Sequence, residues 1–190
     1  MDDNVPKQLM LNNLRSGIPA LTDAKANVLI EACVWCFIKC EHNNGVKIKS
    51  IHCDNRAQYS IGWIDSEIDI DALVRAYNRD DAVEYGAEAI TFLLIREFTP
   101  FTAITRAVTG EGIDYWLGYE NNDSINLFSQ ADARLEISGI LVERGSNTIK
   151  NRIKAKIKQT KPTDHTFPVY ISVVEFSEPK SEMVMKNATN

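Results

Sequence analysis

The sequence lacks the signatures of several common enzyme classes. It has only three histidines, and no serine or cysteine nucleophile signature lies near any of them, which argues against a Ser-His-Asp or Cys-His hydrolase. It contains no Gly-x-Gly-x-x-Gly stretch and no phosphate-loop lysine, so neither a dinucleotide-binding turn nor a P-loop is predicted. Internal repeats and low-complexity tracts are also missing from the sequence.

A secretion signal and a membrane span are not predicted either. The N-terminal stretch is acidic and has no apolar segment of the kind found in signal peptides. The most apolar early run, residues 28–38, is interrupted by Glu31 and is shorter than the roughly 20 residues that a membrane helix needs. We therefore expect a cytoplasmic protein without a membrane partner.

Cysteine is sparse, and the sequence has four: Cys33, Cys36, Cys40 and Cys53. Without a secretion signal, disulfides are not expected. The first three share one face of a predicted helix, but a zinc site would need a fourth ligand from Cys53 or a nearby histidine, and the spacing is not that of a zinc knuckle. Packing in the core is the expected role of these thiols.

The composition is that of an ordinary globular protein. Hydrophobic residues make up 44% of the 190 residues and charged residues 25%, and the net charge is -5. Any contact with nucleic acid must therefore come from a local basic patch. Composition shifts and turn signals predict an N-terminal extension over residues 1–79, a core over residues 80–177 and a flexible tail over residues 178–190.

The predicted fold class is α/β, in the α+β sense of a mixed sheet. We expect the extension to contain irregular chain or a short helix at 8–14, then a helix, a β-hairpin and a helix, at 22–40, 46–51 with 58–64, and 69–77. The core is predicted to follow the order helix–strand–strand–strand–helix–strand, at 81–98, 103–109, 113–119, 133–142, 148–160 and 167–176. Asp80 or Asp81 is the predicted N-cap of the core's first helix.

Two acidic residues are predicted to meet on adjacent strands. If the second and third core strands pair antiparallel about Ser124 and Ile125, Asp114 faces Glu136. Two neighbouring carboxylates repel each other and call for a cation or a shared proton. A hard divalent ion such as Mg²⁺ or Mn²⁺ would meet that need. The alternative is structural: Asp114 would satisfy turn amides and Glu136 would pair with an arginine or a helix lysine.

The helix predicted at 148–160 carries a concentrated positive charge. No acidic residue interrupts it, and its basic residues are Lys150, Arg152, Lys154, Lys156 and Lys158. An isoleucine at every fourth position predicts one buried stripe with a basic row on each flank. Phosphate backbones attract such a face, so these five residues are predicted to bind nucleic acid. A solvated surface helix is the alternative.

Element order and motif together resemble the PD-(D/E)XK nuclease family over residues 80–177. The matching segments are Gly112-Ile113-Asp114-Tyr115-Trp116 and Leu135-Glu136-Ile137-Ser138. The resemblance implies an αβββαβ restriction-endonuclease-like core and a metal site formed by Asp114 and Glu136. It also implies an acidic residue from the first helix, for which Glu88 is preferred over Glu84.

The family's lysine position holds Ser138 in this chain. Some members of the family take this lysine from the following helix, and the resemblance then implies Lys154, or else Lys150, as the catalytic lysine. The first hypothesis is a Mg²⁺- or Mn²⁺-dependent nuclease. The second is a non-catalytic nuclease-fold scaffold in a bacterial defence, immunity or toxin–antitoxin type assembly, with the N-terminal region binding a protein partner.

Overall fold

The computed structural model describes residues 6–53, 55–119, 131–160 and 167–188. They form eight strands: β1 (Lys7–Met10), β2 (Val46–His52), β3 (Asn55–Gly62), β4 (Phe101–Arg106), β5 (Tyr115–Tyr119), β6 (Ala133–Ile140), β7 (Val169–Glu175) and β8 (Lys180–Lys186). They also form four α-helices: α1 (Asp23–Lys39), α2 (Ile70–Ala76), α3 (Arg79–Phe98) and α4 (Ile149–Gln159). Two short 3-10 helices, Leu11–Arg15 and Asp65–Glu67, complete the described elements.

All eight strands join one mixed sheet in the order β1-β3-β2-β8-β7-β6-β5-β4. Three neighbouring pairs are parallel, namely β1 with β3, β2 with β8, and β6 with β7. The other four pairs are antiparallel. The predicted α/β class with a mixed sheet is therefore confirmed, and the predicted helix–strand–strand–strand–helix–strand order appears as α3-β4-β5-β6-α4-β7.

Helices cover the two faces of the sheet unequally. The long apolar helices α1 and α3 pack against one face, where the core takes in Leu135 and Ile137 of β6. The helix α4 covers part of the opposite face, where its Ile149 and Ile153 pack on Ile140 and neighbouring strand residues. Because side chains alternate along a strand, the polar residues of β6 lie on the α4 side. This alternation places Glu136 beneath α4.

Both chain ends differ from the predictions. Where the sequence predicts irregular chain or a short helix at 8–14, residues 7–10 form a strand and a 3-10 helix follows at Leu11–Arg15. Residues 180–186 form β8 instead of a flexible tail. The strand β8 is interior, because it pairs with β7 on one side and β2 on the other. Residues 180–186 are polar, and for that reason the sequence predicts a tail there. One of these polar groups is satisfied inside the sheet, because the Ser181 hydroxyl lies 2.8 Å from that of Ser50. One sheet thus crosses the boundaries predicted at 79/80 and 177/178.

The local predictions largely match the described elements. Thr22 caps α1 and the hairpin of β2 and β3 is present, but Asn78 caps α3 in place of Asp80 or Asp81. Most of the predicted loop at 120–132, with its centre at Ser124 and Ile125, lies outside the described residues. Among the described helices, none is long and apolar enough to cross a membrane.

Candidate functional site

The register of β5 and β6 brings the two predicted acidic residues together. Tyr115 is opposite Leu135, and Trp116 is opposite Arg134, which is the register that the sequence predicts. Just before β5, the amide of Asp114 donates to the Leu135 carbonyl at 2.9 Å. Its carboxylate Oδ2 accepts from the amide of Ile137 at 2.8 Å, which holds the side chain against β6.

Glu136 is the most unusual group in this region, because its carboxylate is fully buried. Its Oε1 accepts hydrogen bonds from Lys156 Nζ and, at 2.9 Å, from Gln159 Nε2. Its Oε2 is also buried, and within the described chain it has no hydrogen-bond partner. Burial and then the negative charge of Asp114 raise the pKa of Glu136 to about 7, although Lys156 opposes both effects.

This raised pKa predicts an unusual pH dependence of stability. The pKa of Glu136 is about 7 when folded against an ordinary value of 4.5, so between those values the folded state binds the extra proton. The stability that this proton gives the folded state is complete below about pH 4.5 and is lost as the pH rises through 7. Over this pH range the free energy of unfolding of the parent should fall by up to about 3 kcal/mol, and replacing Glu136 by glutamine should remove that fall.

Urea unfolding of the parent and of Glu136→Gln at a series of pH values between 5 and 8.5 measures this effect. We expect the free energy of unfolding of the parent to fall relative to the variant as the pH rises. A difference that stays constant over the whole range would show that Glu136 ionises near its ordinary pKa.

Glu88 approaches the same region from α3. Its side chain is only 4% exposed, and its Oε2 accepts from the Tyr115 hydroxyl at 3.1 Å and lies 3.5 Å from Lys25 Nζ. Burial raises the pKa of Glu88, while the Lys25 charge acts against that rise. Glu84, one helical turn earlier, is exposed. The structure thus places Glu88 as the buried carboxylate of the two.

The lysine at the acidic pair is Lys156 and not Lys154. Lys154, the preferred choice for the catalytic lysine, is exposed on the outer flank of α4, and Lys150 is exposed on that flank too. Residues of a helix turn by about 100° each, so Lys154 and Lys156 fall on opposite sides of the buried Ile153. Only the Lys156 side faces β6.

Ser138 of β6 is also contacted from α4. Arg152 donates from Nη1 to the Ser138 hydroxyl at 3.3 Å and from Nε to Asn147 Oδ1 at 2.9 Å. The five basic residues predicted to bind nucleic acid therefore divide into two rows. Arg152 and Lys156 face β6, whereas the other three lysines are exposed on the outer flank.

A cleft of about 470 Å³ lies between α3, the end of β6 and α4. Four of the sequence-predicted site residues line it, Glu88, Asp114, Arg152 and Lys156, whereas the fully buried Glu136 is not part of its lining. The charged lining residues are Arg79, Asp80, Glu84, Glu88, Asp114, Arg152 and Lys156. Acidic and basic groups thus face each other across one cleft, an arrangement suited to a cation and a phosphate together.

The donor set fits a hard divalent cation only with help from other ligands. No group of three or more His, Cys, Asp or Glu side chains that could hold a metal ion occurs within the described residues. Mg²⁺ commonly uses one or two carboxylates and completes its shell with water and substrate phosphate. Asp114 and the unpartnered Oε2 of Glu136 match that requirement.

Several contacts could not be found by sequence reasoning. Arg152, Lys156 and Gln159 lie at helical spacing, so the sequence predicts that they share one flank of α4. The spacing does not tell which part of the sheet that flank faces. Lys25 and the Tyr115 hydroxyl reach Glu88 from distant segments, and no local pattern in the sequence indicates either contact.

Comparison with family models, with curated proteins and with solved structures finds no match to this chain.

Proposed function

We propose that the protein is a metal-dependent nuclease of the PD-(D/E)XK type, which hydrolyses nucleic-acid phosphodiester bonds in the cleft. The observation that carries this proposal is the burial and the incomplete hydrogen bonding of the Glu136 carboxylate. One oxygen of this buried carboxylate is held by Lys156, and the other is buried and meets no hydrogen-bond donor among the described residues. The nearby carboxylate of Asp114 raises the pKa of Glu136. A buried polar atom without a partner is costly, and a divalent cation there would offset that cost.

The element order and the source of the lysine support the family assignment. The segment from α3 to β7 follows the αβββαβ order of that family's core. Ser138 occupies the position of the family's lysine, and Lys156 reaches Glu136 from the following helix. This geometry matches the arrangement in which that helix supplies the missing cation.

Each residue of the cleft has a distinct role under this proposal. Asp114 and Glu136 would hold Mg²⁺ or Mn²⁺, and the bound ion would supply charge neutralisation and a more acidic water. Lys156 and Arg152 present positive charge where a phosphate gains negative charge during cleavage. Glu88 would orient a water molecule at the Asp114 side of the cleft.

The test combines cleavage with a direct measurement of ion binding. We expect the parent to cleave single- or double-stranded DNA or RNA with Mg²⁺ or Mn²⁺ and to stop when a chelator is added. Calorimetry should detect binding of Mn²⁺ to the parent without any substrate. The double variant Asp114→Asn/Glu136→Gln is the control: it should neither bind the ion nor cleave. Cleavage retained in the double variant would show that another site or a contaminant is responsible.

A non-catalytic scaffold is the second candidate, and a separate observation favours it. Three apolar side chains on or near α2 are exposed: Ile64 at 40%, Ile70 at 53% and Val74 at 41%. Exposed apolar side chains that cluster often mark a protein-binding surface. Under this alternative the N-terminal region binds a partner protein, and the parent should show neither Mn²⁺ binding nor cleavage.

A further inference from the structure

On the sheet face opposite α1 and α3, β2 and β3 carry exposed side chains within the described part of the chain. On these strands Lys47, Lys49 and Arg56 are exposed, and they alternate with residues such as Ile48 and Ser50 that are buried under the helices. The helix α4 packs over β7 and β8 and leaves this part of the sheet uncovered. A strip of basic side chains therefore faces solvent on the same side of the sheet as α4.

The outer row of α4 adds three more exposed lysines: Lys150, Lys154 and Lys158. Each follows directly after an isoleucine of the stripe that packs on the sheet. The opposite row reaches β6, because Arg152 contacts Ser138 and Lys156 contacts Glu136. The outer row must therefore face away from β6, toward β8 and β2.

A bridging carboxylate shows that α4 and the open sheet are adjacent. Glu143 accepts from the amide of Ile149, the first residue of α4, at 2.5 Å and from Lys180 Nζ at 2.7 Å. Lys180 begins β8, and in the parallel pairing of β8 with β2 it is the partner of Lys49. The start of α4 and the lysines of β2 thus lie at the same end of the sheet.

These six exposed cations form one basic surface, defined as Lys47, Lys49, Arg56, Lys150, Lys154 and Lys158. Within the described part of the chain, none of the six takes part in an ion pair. The acidic neighbours are Glu182 on β8, opposite Ile51 of β2, and Glu143 and Glu178, which both lie against Lys180. In a chain of net charge -5, so many cations on one side make a strong local positive potential.

We propose that the basic surface binds the phosphodiester backbone of a nucleic acid outside the cleft. Charge complementarity identifies the partner as a polyanion, and the exposed Gln58 beside the cations can add hydrogen bonds to phosphate oxygens. A membrane surface fits less well, because interfacial helices need an outward apolar face and the apolar stripe of α4 is buried on the sheet.

The basic surface and the cleft lie on opposite flanks of α4, which is about 10 Å wide. Binding at the basic surface does not depend on the proposed nuclease function. One consequence does rest on it: a strand held on the basic surface crosses α4 and continues into the cleft beside Arg152 and Lys156. Substrates long enough to span α4 would then be favoured.

The experiment measures binding in the presence of a chelator, so that its result does not depend on cleavage. A fluorescently labelled mixed-sequence oligonucleotide is titrated as single-stranded DNA, as single-stranded RNA and as a DNA duplex. The sheet variant, Lys47→Gln/Lys49→Gln/Arg56→Gln, should bind at least about 10-fold more weakly than the parent. Its log–log salt dependence should fall by about 2 to 3, since each lost phosphate contact removes 0.7 to 0.9.

The matched control removes the same charge from the α1 and α3 side of the molecule. It is Lys7→Gln/Lys39→Gln/Arg75→Gln, and it should bind like the parent. A second variant, Lys150→Gln/Lys154→Gln/Lys158→Gln, tests the helix part of the basic surface independently, and it should also bind at least about 10-fold more weakly. Thermal unfolding of every variant shows that the fold is retained.

Three results would overturn the proposal. In the first, the parent binds none of the three probes. In the second, the matched control loses as much affinity as the sheet variant. In the third, the sheet variant would lose binding to vesicles of anionic phospholipid while its affinity for the oligonucleotide stayed equal to that of the parent. That result would identify a membrane as the partner. Because the measurement uses no divalent ion, its outcome is independent of whether the cleft cleaves.

Discussion

Replacing Lys156 by methionine is expected to lower metal-dependent cleavage by about 10² to 10³-fold. This lysine lines the cleft and contacts Glu136, and without it a phosphate gaining charge there would lose one of the basic groups that line the cleft. The pKa of Glu136 should also rise further, because the Lys156 charge now opposes the effects of burial and of Asp114. The activity that remains should therefore require a higher pH than that of the parent.

The control for this prediction is Lys154→Met. It removes the same charge from the same helix, but Lys154 is exposed on the flank that does not face β6. Rates are measured across a pH series at a saturating concentration of an oligonucleotide too short to span α4, so that the place of Lys154 in the basic surface does not affect the comparison. Equal losses in both would mean that α4 acts only through its total charge, and the assigned role of Lys156 would be wrong.

The second large effect is expected for stability, from Gly139→Ala. A Cβ atom built at Gly139 of β6 would lie 2.2 Å from the main-chain carbonyl oxygen of Val83 and 2.6 Å from its Cγ1 atom. The first contact involves backbone, so α3 itself must move away from the sheet. Overpacking of this kind typically costs 1 to 3 kcal/mol, and we expect a loss of about 3 kcal/mol or more. Denaturant unfolding measures the loss.

Two further variants identify the cause. Gly145→Ala meets nothing within 4 Å and carries only the strain of its positive φ of 55°, so a loss of about 1 kcal/mol is expected. Adding Val83→Ala to Gly139→Ala should not restore stability, because the carbonyl oxygen remains in place. A full rescue by Val83→Ala would show that the side chain causes the conflict. Glu88 shares α3 with Val83, so the displaced helix should also weaken cleavage.

The close approach of Asp114 to Glu136 could be predicted from the sequence because it is a local event. Two strands joined by one loop must pair in some antiparallel register, and the alternation of side chains then decides which residues share a face. The observed pairing of Tyr115 with Leu135 is the one predicted. The preference for Glu88 over Glu84 came from the apolar neighbours of Glu88, and it agrees with the observed burial. The choice of Lys154 came only from the family resemblance, and it stays a prediction.

The sequence by itself determined the elements of the core, their order, the acidic pair and the basic character of α4, because each depends on patterns within one or two neighbouring segments. Tertiary structure alone decided that residues 180–186 form an interior strand and that Lys156 is the lysine at Glu136. It also decided that Lys25 reaches Glu88 and that the lysines of β2 lie beside those of α4. The physical reason is the same in each case. These contacts join segments that are distant in the chain, and packing of whole helices and strands sets their direction.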